Sequence, residues 1–286
     1  MSHPVRYRLV VADIDGTLVN ASREITPPVH AAVRAAQALG VRVCLATGRI
    51  WPSARRFVEA LGADPPVILY NGGMVYDFTR DEVWLRHPLP VRHALDVLRI
   101  LRRHPEVQPH LYVDDRVYVP AMTEATRLYQ RKDSLQTEAV GDLADWLEAD
   151  PARVPMKILN IGERPALQAL ARDIEALPYR VNHVFSEVNY LEILPPGVNK
   201  GFALRAAAER LGIPREAIIA VGDNLNDLEM IEFAGVGVAM ANAPDALRTR
   251  ADVVAPSNDD HGLREVIERF ILLPHARVRQ DRLRGT

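Results

Sequence analysis

The chain has a single cysteine, Cys44, among its 286 residues. One thiol excludes an internal disulfide framework and any metal cage built from several cysteines. The sequence also has no run close to the roughly 18 consecutive apolar residues that a membrane-spanning helix needs. Residues 1–8 lack the apolar core and the small-residue cleavage site of a signal peptide. These absences favour a cytoplasmic protein without a membrane partner.

An excess of basic charge is missing too, because 35 Lys and Arg residues stand against 37 Asp and Glu residues, for a net charge of −2. This balance provides no broad positive field and argues against a dedicated nucleic-acid-binding protein. Hydrophobic residues make up 48% of the chain and charged residues 25%, as is typical of globular proteins. The length fits one large domain or two ordinary ones, and we expect an enzyme or a binding protein.

Apolar runs and amphipathic segments alternate near both ends of the chain. The runs at 7–12, 41–45 and 67–70 are predicted strands separated by predicted helices, an order that indicates a parallel sheet. The middle of the chain mixes hairpins and helices without regular alternation. We therefore predict an α/β fold, with a Rossmann-like parallel-sheet core interrupted by an inserted α+β domain. The predicted boundaries are 1–84 for the first core segment, 85–188 for the inserted domain and 189–286 for the second core segment.

Two carboxylates directly follow the first predicted strand, in the segment Asp13-Ile14-Asp15-Gly16-Thr17. In open parallel sheets, ligands bind at the carboxyl ends of the strands. Carboxylates that lie close together in a partly dry crevice ionise together only when a cation compensates them, and acidic oxygen ligands suit Mg²⁺. The alternative is an Asx-type turn in which Gly16 supplies the unusual backbone angles.

A second acidic segment, Gly222-Asp223-Asn224-Leu225-Asn226-Asp227, also follows a predicted strand and opens a helix. Its acids suit a helix cap, because the helix dipole favours negative charge in the first turn. For Asp227 this capping role is nearly as good as a functional one. Asp223 fits better as the partner of the first acidic pair, because both follow buried strands of the same predicted sheet.

Lys200 opens a predicted helix, where the dipole disfavours a cation, so this lysine indicates an anionic partner unless it is simply solvated. Thr47, Gly48 and Arg49 follow the second predicted strand, and a hydroxyl beside a glycine-exposed backbone can donate to a phosphate. Phosphoryl transfer needs a nucleophile, a metal, a lysine and such donors for the phosphoryl oxygens. The combined motifs therefore indicate phosphoryl chemistry.

In this order and spacing, the motifs resemble the haloacid dehalogenase superfamily of phosphatases, and in particular its Cof-type members, which carry a large α/β cap. The resemblance implies that the inserted domain is this cap. It also implies a Mg²⁺-dependent phosphomonoester hydrolase that acts on small phosphorylated metabolites, such as sugar phosphates, nucleotides or vitamin-type phosphates, through an aspartyl-phosphate intermediate. The matching segments are DIDGT (13–17), ATGR (46–49), YNGG (70–73), EILPPGVNKG (192–201) and GDNLNDLEM (222–230).

Residue by residue, the resemblance implies that Asp13 is the nucleophile and that Asp15 is the general acid and then the general base. It implies a Mg²⁺ ion held by Asp13, the main-chain carbonyl of Asp15, and Asp223. The phosphate-binding residues would be Thr47, Gly48 and Lys200, with Thr17, Arg49, Asn71, Asn226 and Asp227 in supporting positions.

Two other functions are compatible with the same motifs, namely a phosphotransferase or phosphomutase acting on sugar phosphates, and a non-catalytic regulator that binds a phosphometabolite. Inside the cap, His110, Tyr112, Arg116 and Tyr118 are candidates to contact the leaving group, and packing of alternating strand residues is the alternative for each. We expect the four arginines between 277 and 284 to form a solvated terminus.

Overall fold

The computed structural model describes residues 6–276, so the arginine-rich tail lies outside the described residues. The chain begins with alternating strands and helices and then enters a meander of short strands. These elements are β1 (Leu9–Ala12), α1 (Pro27–Ala38), β2 (Arg42–Leu45), α2 (Trp51–Leu61), β3 (Val67–Leu69), β4 (Met74–Asp77) and β5 (Glu82–Arg86).

The middle of the chain forms a separate layer of helices and strands, which we call the cap. Its elements are α3 (Val91–Leu101), β6 (Gln108–Val113), β7 (Arg116–Val119), α4 (Glu124–Asp133), β8 (Thr137–Ala139), α5 (Leu143–Glu148), β9 (Pro155–Ile161), α6 (Arg164–Glu175), β10 (Asn182–Glu187) and β11 (Tyr190–Leu194). They form a six-stranded sheet in the order β10-β11-β9-β6-β7-β8.

The last third of the described chain returns to regular alternation. Its elements are α7 (Lys200–Leu211), β12 (Ile218–Gly222), α8 (Leu228–Phe233), β13 (Val236–Met240), α9 (Asp245–Arg248), β14 (Val253–Ala255) and α10 (Gly262–Ile267). No helix among residues 6–276 is both long enough and apolar enough to cross a membrane.

The core sheet has the order β14-β13-β12-β1-β2, and every pair in it is parallel. Val10 and Ala12 of β1 pack in one hydrophobic cluster with residues of α1, α2 and α10, whereas Leu9 and Val11 pack in another with residues of α7 and α8. Helices thus cover both faces of the sheet, which explains why its strands show no polar alternation. The predicted α/β fold with a parallel-sheet core is confirmed.

The third predicted strand differs from the expectation. β3 pairs antiparallel with β4, and β4 pairs antiparallel with β5, so these three strands form a small sheet of their own. A single parallel bridge between Ala46 and Ile68 connects β3 to the end of β2. The Thr47 N–H also donates to the Ile68 carbonyl at 2.9 Å. β3 therefore follows β2 in parallel only over this short contact beyond the end of β2, whereas its other edge pairs with the hairpin, so the prediction of a regular third parallel strand is only partly met.

The second domain boundary also needs a different position. β11 starts at Tyr190, which the sequence-based division at 188/189 assigns to the core, yet it lies between β9 and β10 and pairs antiparallel with both. Placing it in the core would split the six-stranded sheet. We therefore propose that the inserted domain continues through Leu194 and that the second core segment begins after it.

The two faces of the cap sheet have different surroundings. Leu111, Ile158 and Ile193 pack in a cluster with residues of α3, α5 and α6. Leu159 and Tyr190 point the other way and line a cavity at the boundary with the core. The cap sheet therefore has helices on one side and forms a roof over the core on the other.

Candidate active site

The site lies where three neighbouring core strands end. Asp13 follows β1, Thr47 lies two residues beyond β2, and Asp223 follows β12, and β1 lies between β12 and β2 in the sheet. The carboxyl ends of parallel strands meet at one edge, so these side chains converge there. All three line one cavity of about 340 Å³ between the core and the cap.

Lys200 is completely buried at the first position of α7. Its Nζ donates to Asp13 Oδ1 and to Asp227 Oδ1, each at 2.6 Å. Burial acts to lower the pKa of Lys200, but the charges and hydrogen bonds of these two carboxylates outweigh it and raise the pKa above its ordinary value. The two carboxylates offset the unfavourable helix dipole, and complete burial rules out the alternative of a solvated lysine.

Three carboxylates surround one small volume in the site. Asp13, Asp223 and Asp227 each offer an oxygen, and these oxygens lie within 4.8 Å of one another. Burial raises the pKa of Asp13 to about 7 even though Lys200 acts to lower it. Burial, together with the charges of Asp13 and Asp227, raises the pKa of Asp223 well above its ordinary value. One lysine therefore does not balance the negative charge of this cluster.

The donor set of this cluster fits a divalent metal ion. Asp227 is fully engaged, since Oδ1 accepts from Lys200 and Oδ2 accepts from the N–H groups of Asp223 and Asn224 at 2.9 and 3.0 Å. Asp13 and Asp223 keep oxygens that bind no other group of the cluster, and Asp223 Oδ1 is oriented by Thr17 Oγ1 at 2.8 Å. Anionic oxygens that lack a compensating charge are the ligands of a hard divalent cation.

Gly16 allows Asp223 to approach the turn after β1. Its φ is +83°, and a Cβ atom at this position would lie 2.2 Å from Asp223 Oδ2. Any larger residue would therefore combine a strained backbone with a direct clash. This explains in physical terms why a glycine follows the acidic pair.

Asp15 has a different environment from the three clustered carboxylates. Its two oxygens accept from Arg49 Nε and Nη2, both at 2.7 Å, in a bidentate ion pair. Burial acts to raise the pKa of Asp15, but the hydrogen bonds and charge of Arg49 outweigh it and hold the pKa below its ordinary value. Arg49 Nη1 also binds Asp133 of the cap at 2.9 Å. The guanidinium of Arg49 thus binds one carboxylate of the core and one of the cap, which gives the supporting position implied by the resemblance a specific geometry.

The remaining supporting residues form a small network beside Thr47. The Asn71 N–H donates to the Thr47 carbonyl at 3.0 Å, and Asn71 Oδ1 accepts from Asn226 Nδ2 at 3.0 Å. Gly48 and Asn226 both line the cavity. The structure therefore brings the predicted core residues together around one volume, and their individual roles are considered below as proposals.

The predicted cap contributes lining residues that the sequence-based prediction does not name. Lys157, in the fully buried strand β9, donates to Glu192 Oε2 at 2.6 Å. A lysine among the largely apolar residues of the segment 155–161 is the signal in the sequence that points to it. The cap residues that line the cavity are Tyr129, Lys132, Asp133, Lys157, Leu159, Ser186, Glu187, Tyr190 and Glu192.

The four cap residues suggested by the sequence lie elsewhere. His110 and Tyr112 are buried, and the Tyr112 hydroxyl is hydrogen-bonded to that of Tyr129. Tyr118 stacks on Trp146 with 4.2 Å between the ring centroids. None of these three residues lines the cavity in the described part of the chain, and Arg116 does not line it either. Packing, the alternative stated above, describes the two buried residues and Tyr118.

Comparison with known proteins agrees with this geometry. The family model of the haloacid dehalogenase-like hydrolases matches residues 10–267. Pyridoxal phosphate phosphatase YbhA of Escherichia coli strain K12 is 31% identical over 267 residues, which cover 91% of this chain and 97% of that protein. The 5-amino-6-(5-phospho-D-ribitylamino)uracil phosphatase YitU of Bacillus subtilis strain 168 is 29% identical, with 93% of this chain and 98% of that protein covered.

A solved structure shows the same likeness in three dimensions. The crystal structure of a haloacid dehalogenase-like hydrolase from Bacteroides thetaiotaomicron has a TM-score of 0.81 at 28% identity, with 92% of this chain and 99% of that chain covered. The resemblance seen in the motifs is thus confirmed. The chain belongs to the haloacid dehalogenase-like hydrolases and is an enzyme of their phosphatase type.

Proposed function

We propose that the enzyme is a Mg²⁺-dependent phosphomonoester hydrolase whose nucleophile is Asp13. The observation that carries this proposal is the position of the Asp13 carboxylate. It lies at the end of β1, 2.6 Å from the buried Lys200 ammonium and within 4.8 Å of an Asp223 oxygen. A nucleophilic carboxylate next to a lysine and a cation site has the parts that covalent phosphoryl transfer requires.

In the first step, one carboxylate oxygen of Asp13 attacks phosphorus. A bond forms between this oxygen and phosphorus, and the bond from phosphorus to the leaving oxygen breaks. Asp13, the main-chain carbonyl of Asp15, and Asp223 would hold the Mg²⁺ ion, which when bound supplies charge neutralisation for the carboxylates and the phosphoryl oxygens. Lys200 and the hydroxyl of Thr47 would stabilise the oxygens of the transferring group.

Asp15 would move the protons in both steps. It gives one to the leaving oxygen and later takes one from the water that attacks the aspartyl phosphate, which restores Asp13. The bidentate pair with Arg49 holds Asp15 ionised, as the second step needs. The first step needs a protonated Asp15, so we infer that Arg49 loosens its contact when the substrate binds.

The cavity favours a small substrate. Its volume of about 340 Å³ is near the lower end for small-molecule sites, and Tyr129, Leu159 and Tyr190 line it on the cap side. The two curated relatives are named for pyridoxal phosphate and for 5-amino-6-(5-phospho-D-ribitylamino)uracil. We therefore propose small phosphorylated metabolites as the substrate class, with vitamin-type phosphates, sugar phosphates and nucleotides as the compounds to test.

A phosphate-release screen tests this function. Purified protein is incubated with several dozen phosphorylated metabolites, with Mg²⁺ or with EDTA. We expect Mg²⁺-dependent release of phosphate, and a loss of at least about 10³-fold in Asp13→Asn, because the amide is not a nucleophile.

Asp77→Asn is the matched control, since Asp77 is also a buried aspartate but binds Thr79 outside the site. Turnover that survives in Asp13→Asn contradicts the mechanism. Formation of a phosphorylated acceptor instead of free phosphate would indicate transfer rather than hydrolysis.

A further inference from the structure

The roof of the cavity contains a buried ion pair that the mechanism above does not use. Lys157 of β9 and Glu192 of β11 have side chains only 3% and 5% exposed, and Lys157 Nζ lies 2.6 Å from Glu192 Oε2. Both residues line the cavity, on the same face of the cap sheet as Leu159 and Tyr190. Burying an ammonium and a carboxylate costs several kcal/mol per ion unless each finds further partners.

The further partner of Lys157 lies in the core. Its Nζ donates to the main-chain carbonyl of Gly48 at 2.7 Å, so the ammonium crosses from the cap to the loop that follows β2. The same ammonium lies 4.7 Å from the centre of the Tyr112 ring. Lys157 thus contacts Glu192 and Tyr112 within the cap, and it donates one hydrogen bond to the core loop that follows β2.

The carbonyl that Lys157 binds shares a peptide unit with the N–H of Arg49. This N–H donates to Thr47 Oγ1 at 3.1 Å. A hydroxyl that accepts this hydrogen bond keeps its own proton free for another acceptor. Fixing the Gly48–Arg49 peptide therefore fixes Thr47 as a donor toward the cavity, and hydrogen bonds in such a chain strengthen one another.

The loop fits closely against the ion pair. A Cβ atom on Gly48 would lie 3.2 Å from Glu192 Oε1 and 3.0 Å from Asn71 Nδ2. The absence of a side chain at Gly48 thus lets the loop lie close to both the cap carboxylate and the Asn71 side chain. These contacts leave the Gly48 peptide little freedom while the cap sheet covers the core.

We propose that Lys157, oriented by Glu192, is a positioning residue that aligns the loop 47–49 for binding the oxygens of the transferring phosphoryl group. Because the lysine belongs to the cap and the loop to the core, the donor geometry of Thr47 is complete only when the cap covers the site. The inference rests on the proposed phosphoryl transfer and adds a coupling between cap closure and the phosphate-binding loop.

A double variant tests the proposal without leaving an unpaired buried charge. Lys157→Met with Glu192→Leu replaces the pair by apolar residues, which often keeps a fold stable, and Lys157→Met with Glu192→Gln is a second version in case the first does not fold. The control is Asn160→Ala. Asn160 is buried in the same strand and donates to the Leu191 carbonyl within the cap, but three residues from Lys157 it points to the opposite face.

Three quantities are measured in the Mg²⁺-loaded full-length protein: kcat and KM for the best substrate of the screen, the affinity for orthovanadate as a phosphoryl mimic, and the ¹⁵N shift of the Arg49 amide. We expect kcat to fall about 10-fold to 100-fold with little change in KM. We also expect vanadate to bind at least about tenfold more weakly and the Arg49 amide shift to move. Asn160→Ala should leave all three at their wild-type values.

Each other outcome is decisive. Unchanged kcat and unchanged vanadate affinity in the folded double variant overturn the proposal, because the pair would then only stabilise the cap. A raised KM with unchanged kcat also overturns it, because Lys157 would then contact the substrate itself. If the wild type cleaves no phosphoester but binds vanadate, and the double variant binds it more weakly, then the proposed function fails while the positioning role stands.

Discussion

At the scale of single residues, His110 is a candidate site residue whose burial in the cap instead makes the stability of the fold depend on pH. Its side chain in β6 is completely buried, with Nδ1 3.1 Å from the carbonyl oxygen of Gln108 and its ring 5.2 Å from that of Tyr129. Burial lowers the pKa of His110 from 6.5 to about 4, although the hydrogen bond to Gln108 acts in the opposite direction. The folded protein therefore keeps this imidazole neutral at pH values where the unfolded chain protonates it.

This shift predicts acid-sensitive folding. Between pH 6.5 and about 4 the unfolded chain binds a proton that the folded protein does not, so the free energy of unfolding falls as the pH falls, by roughly 3 kcal/mol from this group. His110→Gln removes the titration, and we expect a flatter dependence of stability on pH in urea unfolding measured between pH 4 and 7.

The control for this prediction is Asn160→Ala, which removes a buried side chain that does not titrate from the same cap sheet and should keep the wild-type dependence of stability on pH. A His110→Gln variant with the full wild-type slope would show that other groups cause the acid sensitivity.

At the scale of elements, the close contact between Asp223 and the turn that follows β1 depends on Gly16. Gly16 and Gly40 have nearly the same positive φ, +83° and +81°, but a Cβ atom on Gly16 would meet Asp223 whereas one on Gly40 would have no neighbour within 4 Å. The two positions therefore separate the cost of backbone strain from the cost of displacing a carboxylate.

We expect Gly16→Ala and Gly40→Ala each to lose about 1 kcal/mol of stability from the backbone, and Gly16→Ala to lose more because its methyl group clashes with Asp223. Only Gly16→Ala should also lose Mg²⁺ affinity and turnover, by at least about tenfold, because the methyl group pushes Asp223 out of the cluster. Calorimetric titration with Mg²⁺ and thermal unfolding of both variants check this. Equal Mg²⁺ affinity in the two variants would mean that Asp223 is not a ligand.

The strands also show which parts of the site and the fold could be predicted from the sequence. Asp13, Thr47 and Asp223 could be placed together from the sequence because each follows a buried strand, and parallel strands of one sheet end at one edge. The contact between Lys157 and Gly48 could not, because it depends on how two separately formed sheets dock. The same limit applies to β11, since strand periodicity predicts a strand but does not determine which sheet it joins.

At the scale of the whole molecule, arginines of the core hold the end of α4 in the cap. Asp133 Oδ1 lies 2.9 Å from Arg49 Nη1 and 3.4 Å from Arg23 Nη2, and Arg23 Nη1 donates to the Lys132 carbonyl at 2.6 Å. The Arg49–Asp133 pair is largely shielded from solvent, so salt screens it less than an exposed pair. These contacts link the cap to the core beside the cavity, so their loss favours movement of the cap away from the site.

We expect Asp133→Asn to favour an open cap. Losing the charge of one partner weakens the closed state by about 2 kcal/mol, which raises the ratio of open to closed molecules about thirtyfold. Small-angle X-ray scattering of the ligand-free protein should then show a larger radius of gyration. Asp173→Asn, which affects contacts of Arg103 and His104 inside the cap, is the control and should scatter like the wild type. Identical scattering by Asp133→Asn would show that other contacts keep the cap in place.

The order of strands in the core sheet has a consequence for protein synthesis. β1 lies between β12 and β2 in the sheet, and its residue Leu9 pairs with Ile218 of β12, with the whole cap encoded between these two strands. At roughly 5–20 residues per second, a ribosome needs about 10 to 40 seconds to produce β12 after β1. During that interval one edge of the fully buried strand β1 has no native partner in the nascent chain. Early chain release or ribosome pausing within the cap would therefore leave an aggregation-prone edge. The insertion that roofs the active site thus also delays completion of the core.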